Sequence, residues 1–225
     1  MKDSSEILPR IGFALHLTAP GTSVRDTIVE SAQMYSRIVE DAGGGAIRVV
    51  WRGHPLCGVE FAVIAELAPT PEGDGWQYSF RYVGNASGLA VEFIDFPVLA
   101  VPRTDVTEIF YPRMCGQVRR PKWSAVAPGA VVAEAPASGL HFMAALNGED
   151  ASWYLDQRGD ARLCPNWAIV RNGVEPGTVT LLFRHAPEVT AANLVAGALP
   201  FGGTIRLFRG DWFAAAEIYR RWAWE

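Results

Sequence analysis

Apolar and polar positions alternate with a period of two along most of the chain. Arg10–Thr18, Ala46–Trp51, Val59–Leu67, Trp76–Val83 and Leu89–Val101 all show it, and Thr27–Val39 carries β-branched residues among polar neighbours. The habit resumes at Leu140–Leu146, Ser152–Asp156, Leu163–Val170, Val179–His185 and Thr204–Phe208. Each stretch predicts a strand, because β-branched and aromatic side chains fit a pleated, half-buried surface. Clusters rich in glycine, proline, asparagine and aspartate separate the early ones: 19–22, 41–45, 69–75 and 84–88. Strands do not alternate with long helical patterns, so a mostly β fold is expected, an antiparallel β-sandwich or supersandwich. The stretch 111–137 bears proline and glycine without a period. It is expected to be irregular, and a loop of that length in a compact domain is usually functional or mobile.

The end of the chain changes period. Residues 211–224 read as a helix, with Asp211 to cap the first turn and Arg220 and Arg221 near its C-terminal end. Trp212, Ala216, Tyr219 and Trp222 share one face. The expected organisation is a β-sandwich domain over 1–209 and a C-terminal linker helix over 210–225. A helix with three tryptophans at the chain end predicts either that a larger domain follows it or that it docks on the sandwich.

Composition narrows the class. The chain is 225 residues long, 49% apolar and 20% charged, enough to bury a real core. Its 24 acidic and 20 basic residues leave a formal charge of −4, with no basic patch to favour nucleic acid. No stretch approaches the roughly 20 apolar residues of a membrane helix, so a soluble protein is expected. Ile11–Leu17 is a short apolar run broken by His16, without the length or cleavage pattern of a signal peptide. Cys57, Cys115 and Cys164 are widely spaced and form no CxxC pair, which fits buried thiols better than a disulfide framework. A cytoplasmic location is favoured, with secretion the open alternative.

Several local patterns occur in a fixed order. Phe93-Ile-Asp-Phe-Pro-Val-Leu99 precedes Ile109-Phe-Tyr-Pro-Arg-Met-Cys-Gly116. Leu140-His-Phe-Met-Ala-Ala-Leu146 and Ser152-Trp-Tyr-Leu-Asp156 come next, and Phe208-Arg-Gly-Asp-Trp-Phe-Ala-Ala-Ala-Glu-Ile-Tyr-Arg-Arg-Trp-Ala223 closes the series. The order resembles an uncharacterised family of bacterial glycoside-hydrolase-like proteins, in which a galactose-mutarotase-like β-supersandwich precedes a (β/α)-barrel. The resemblance spans roughly residues 45–224, and the final helix motif is its most specific part. Ser152 stands where the family has a glycine, and His141 where it often has a glutamine. In this class of glycosidases the catalytic carboxylates lie at barrel strand ends. No such positions exist in these 225 residues, so no catalytic role is carried over.

Glycoside hydrolysis usually needs two carboxylates roughly 5–10 Å apart. Asp95, Asp105, Glu108, Asp156 and Asp160 are available, each at a strand end or turn where acids also serve solubility and turn geometry. His16, His54, His141 and His185 have no HxH or HExxH spacing. His141 with Glu92 or Glu134 could imitate a mutarotase acid and base, against the simpler reading of a sheet histidine. No metal is expected, although Cys115, Cys164 and a histidine are conceivable ligands in principle. Gly43–Gly45 is no phosphate loop, since no lysine-bearing strand-to-helix junction follows. Apolar sugar faces stack on aromatic rings beside polar groups, which makes Tyr111, Arg113, Trp123, Trp153 and Trp167 the candidate sugar contacts.

These readings converge on a non-catalytic accessory domain of a carbohydrate-active protein. The parent protein is expected to be a glycoside hydrolase, and this chain is expected not to catalyse alone. Its partners would be carbohydrate, together with a (β/α)-barrel or self-association through the helix, and it would need no cofactor. The loop 111–123 is the candidate for reaching a barrel's cleft. A free-standing carbohydrate-binding module is the alternative, and a mutarotase- or epimerase-like enzyme the third reading.

Overall fold

The computed structural model describes residues 10–19, 27–113, 116–136, 141–148, 150–158, 166–187, 194–200 and 202–224. The protein is mostly β, with 59% of residues in strands, two antiparallel sheets and a C-terminal helix. In chain order the strands are β1 (Ile11–Thr18), β2 (Thr27–Glu30), β3 (Ser36–Gly43), β4 (Ala46–His54), β5 (Gly58–Pro69) and β6 (Gly75–Val83). There follow β7 (Ala90–Pro102), β8 (Glu108–Tyr111), β9 (Gln117–Arg119), β10 (Val131–Pro136) and β11 (Phe142–Leu146). The last are β12 (Ala151–Gln157), β13 (Asn166–Asn172), β14 (Thr178–His185), β15 (Gly197–Ala198) and β16 (Gly203–Arg209), before helix α1 (Trp212–Ala223). One sheet has the order β10-β13-β14-β7-β1-β2. The other runs β3-β4-β5-β6-β16-β12-β11-β8-β9, with β15 beside β6.

Side-chain alternation builds the sandwich. On β1, Phe13, Leu15 and Leu17 enter the core, while Ala14 and His16 belong to the opposite face. Ile94, Phe96 and Leu99 of β7 and Leu181 and Phe183 of β14 join the same layer. Trp51, Phe61, Tyr78, Phe80, Tyr82 and Trp153 come from the other sheet. The Phe13 and Trp51 rings meet edge to face at 5.2 Å, and Phe80 lies 4.6 Å from Phe96, so aromatic contacts span the two layers.

Most expected strands form, but the short β8 and β15 were not among them, and the Leu163–Pro165 start of another lies outside the described residues. Two longer stretches also depart from the expectation. Thr27–Val39 is not one strand. Glu30 and Gln33 form a reciprocal capping box around a 3-10 turn at Ser31–Gln33, which turns the chain out of the six-stranded sheet and into the ten-stranded one. Nor is 111–137 irregular throughout. It contains β9, which folds back on β8, and β10, which forms the edge of the six-stranded sheet beside β13. Arg119 Nη1 donates to the Val132 carbonyl, and Arg120 pairs with Glu108, so the expected reaching loop is a tethered hairpin. Between β3 and β4 the turn is only Gly44-Gly45, with φ of 62° and 79°. Two consecutive positive φ values are what a two-residue hairpin requires and side chains resist.

Helix α1 docks on the outer face of the ten-stranded sheet. Ala215 and Ile218 are its buried residues, and they pack in a second cluster with Phe110, Phe142, Ala144, Leu146 and Tyr154. The buried stripe is therefore centred on Ala215 and Ile218, beside the tryptophan-led face expected from sequence. Phe142 stacks between Phe110 at 4.8 Å and Tyr219 at 5.1 Å. Asp211 Oδ1 accepts from the Phe213 and Ala214 amides at 2.9 and 3.2 Å. Asp211→Ala should therefore lower stability by about 1 kcal/mol, read as a shift in urea midpoint with an unchanged slope. Asp211→Asn should recover most of it.

Candidate functional site

The six-stranded sheet carries a row of polar and aromatic side chains on its outer face. Four adjacent strands supply it. His16 on β1 pairs in register with Phe93 on β7, and Arg184 on β14 lies opposite Asp95 on β7 and Trp167 on β13. Arg184 grips Asp95 with both prongs, Nε to Oδ1 at 2.7 Å and Nη2 to Oδ2 at 2.8 Å. His16 Nε2 lies 3.0 Å from Asp95 Oδ2 and 3.0 Å from Arg184 Nη2, so three polar atoms converge on one point. Asp95 is only 1% exposed. Burial pushes its carboxyl up, but the bonds and charges of Arg184 and His16 outweigh that and hold it below the ordinary carboxylate value. Phe93 completes the row, meeting His16 and Trp167 edge-on at 6.0 Å each, with the Arg184 guanidinium 5.6 Å from its ring centre.

Asp95 also lines a cavity of about 350 Å³ on this face. Small residues make its floor: Ala14, Val98, Ala100 and Thr180. Glu30–Ala32, at the corner where the chain leaves the sheet, forms one wall, and Arg171, Val174 and Glu175 form another. The volume falls within the roughly 300–1,000 Å³ typical of small-ligand sites.

Asp156, His185 and Cys57 are further buried ionisable groups. Asp156 is fully buried on β12 and accepts from the Thr204 amide at 2.6 Å, the Tyr154 hydroxyl at 3.0 Å and Arg158 Nε at 3.2 Å. Burial raises its pKa, partly offset by Arg158 and the Thr204 bond. His185 ties the sheets together: its ring nitrogens meet the Phe96 carbonyl at 2.7 Å and Gln157 Nε2 of the other sheet at 3.1 Å. Burial lowers its pKa to about 4, so it is neutral at pH 7. Burial also raises the Cys57 thiol to about 11, which makes it a poor nucleophile.

The sequence-derived sugar contacts are scattered. Tyr111 is buried, its hydroxyl donating to Gln117 Oε1 at 2.8 Å. Trp153 is 2% exposed within the core. Trp123 packs against the core and donates from Nε1 to the Val106 carbonyl at 2.9 Å. Arg113 is exposed in the turn before β9. Trp167 belongs to the polar row on the outer face. Among the other candidates, Asp105 accepts from Thr104, Glu108 pairs with Arg120, and His54 receives the Leu56 amide. His141 precedes β11 in the ten-stranded sheet, whereas Glu92 and Glu134 lie on β7 and β10 of the other. Asp160, Cys115 and Cys164 lie outside the described residues.

Comparison with protein-family models and with curated proteins finds no match. Among the described residues, no group of three His, Cys, Asp or Glu side chains is placed to hold a metal ion, and no helix is long and apolar enough to cross a membrane.

Arg184 and Arg171, both cations on this face, were not singled out in the sequence. A usable signal existed for the first. A charged residue inside an apolar strand, such as Asp95 in Phe93–Phe96, is expensive to bury alone and implies a cationic partner on a neighbouring strand. Nothing local pointed to Arg171.

Proposed function

We propose that this protein is a non-catalytic accessory β-sandwich module of a carbohydrate-active system, holding sugar on the outer face of its six-stranded sheet. The observation that carries this reading is the cavity of about 350 Å³ beside a pre-formed row of Asp95, Arg184, Phe93 and Trp167. Rigid aromatic edges beside fixed polar groups suit a hydroxylated ring that has apolar faces. Asp95 and Asp156 are each held by cations and donors, an arrangement that favours anchoring over proton transfer.

A second reading, a platform for a neighbouring domain, draws on helix α1. Its inner side is sealed against the sheet, while Trp212, Phe213 and Trp224 are 45%, 57% and 84% exposed. The expectation of a barrel partner or of self-association through this helix stays a proposal on that basis.

A glycan array followed by titration tests the first reading. Wild type should bind at least one glycan without converting it, and Trp167→Ala should weaken binding about tenfold, in line with the worth of an aromatic contact. Turnover or anomerisation of sugar by the purified chain would contradict it, as would silence across the array.

A further inference from the structure

Arg171 differs from Arg184, the other arginine placed on this face. Arg184 is locked onto Asp95. Arg171 lines the cavity with its Nε buried and hydrogen-bonded to nothing. Among the described residues no carboxylate closes on its guanidinium, although Glu30 and Glu175 line the same cavity. The Glu30 side chain is engaged in the capping box and accepts from the Gln33 amide. A half-buried guanidinium with an unmade donor is costly to leave as it is, and its planar fork matches a carboxylate.

We propose that the cavity takes an acidic sugar, a uronic acid, with its carboxylate on Arg171. This rests on the carbohydrate reading above and narrows it. Three features select the class. The lone cation asks for an anion. The two glutamates on the walls disfavour a dianion such as phosphate, because like charges in a partly desolvated site repel, yet they accept hydrogen bonds from neutral hydroxyls. Val98 and Ala100 on the floor offer a flat, small-residue apolar surface for a ring face.

Calorimetric titration with D-galacturonate, its methyl ester and D-galactose tests the assignment. The ester removes the charge and keeps the ring. Galacturonate should bind about 10- to 100-fold more tightly than either neutral compound, the range that a hydrogen-bonded charge supports. Arg171→Ala should remove that preference while leaving the melting profile folded. Should the variant not fold, the comparison of acid with ester on wild type decides alone. Equal affinity for acid and ester, an unchanged preference in folded Arg171→Ala, or no heat with any of the three would overturn the inference. Binding of a different glycan elsewhere on the array, with no heat here, would overturn this inference alone and leave the module reading standing.

Discussion

Asp95→Ala should destabilise the protein by about 3–5 kcal/mol, the usual cost of removing one partner from a buried ion pair. The carboxylate is 1% exposed and accepts both prongs of Arg184 together with the contact from His16. Its removal takes both carboxylate bonds from a guanidinium whose side chain is only 20% exposed. Asp95→Asn should recover part of the loss, since an amide oxygen still accepts one bond. The effect has a defined pH window. The folded-state pKa of Asp95 is depressed, so its contribution is fully present above the unfolded value near 3.9 and is lost as pH falls through the lower folded value. The difference between wild type and Asp95→Ala, from urea unfolding, should therefore be large at pH 7 and shrink below about pH 4. A pH 7 difference under about 1 kcal/mol would mean that this cluster is far more solvated than its burial implies.

His185 sets a second and separate window. Its pKa is lowered from 6.5 to about 4 because the ring is fully buried between the sheets. Between those values the unfolded chain binds a proton that the folded chain refuses, so stability rises with pH across the interval and is fully present above about 6.5. The interval corresponds to roughly 3 kcal/mol. Asp156 works in the opposite direction, because burial raises its pKa and favours the neutral form in the folded state. Net wild-type stability therefore mixes the two, and the difference between wild type and His185→Gln isolates the histidine. That difference should fall by roughly 3 kcal/mol from pH 7 to pH 4. A difference independent of pH would show that the ring protonates in place. His185→Gln should also cost stability at pH 7, since the Phe96 carbonyl and Gln157 Nε2 lose their partner while Gln157 Oε1 already has none.

The sheet interior was legible because its signals are local. Alternation and turn chemistry marked β4, β5 and β6 to within a few residues, and Asp211 marked the start of α1. The misses have physical causes. In Thr27–Val39 the period of two continues across a change of sheet, and the corner is made by polar side chains, Glu30 and Gln33, that read like strand surface. Val131–Pro136 ends in a proline and lies among turn residues, yet an edge strand tolerates both. The polar face was hardest to see. His16 and Asp95 lie 79 residues apart and Arg184 lies 89 beyond Asp95, so only strand order brings them together. Conversely, Tyr111 and Trp153 carry the right rings for sugar stacking, but alternation turned them inward. Sequence supplied residue types. Sheet topology decided which of them share a surface.

The proposed function requires a sugar to sit on the outer face of the six-stranded sheet and to leave unchanged. The most direct measurement is a chemical-shift map of the isotope-labelled chain titrated with its best array glycan, with the sugar spectrum recorded in the same tube. Shifts should centre on Trp167, Arg171 and Thr180, with the glycan intact and its anomeric ratio unaltered. Shifts confined to the ten-stranded sheet or to α1, or chemical change in the sugar, would contradict it.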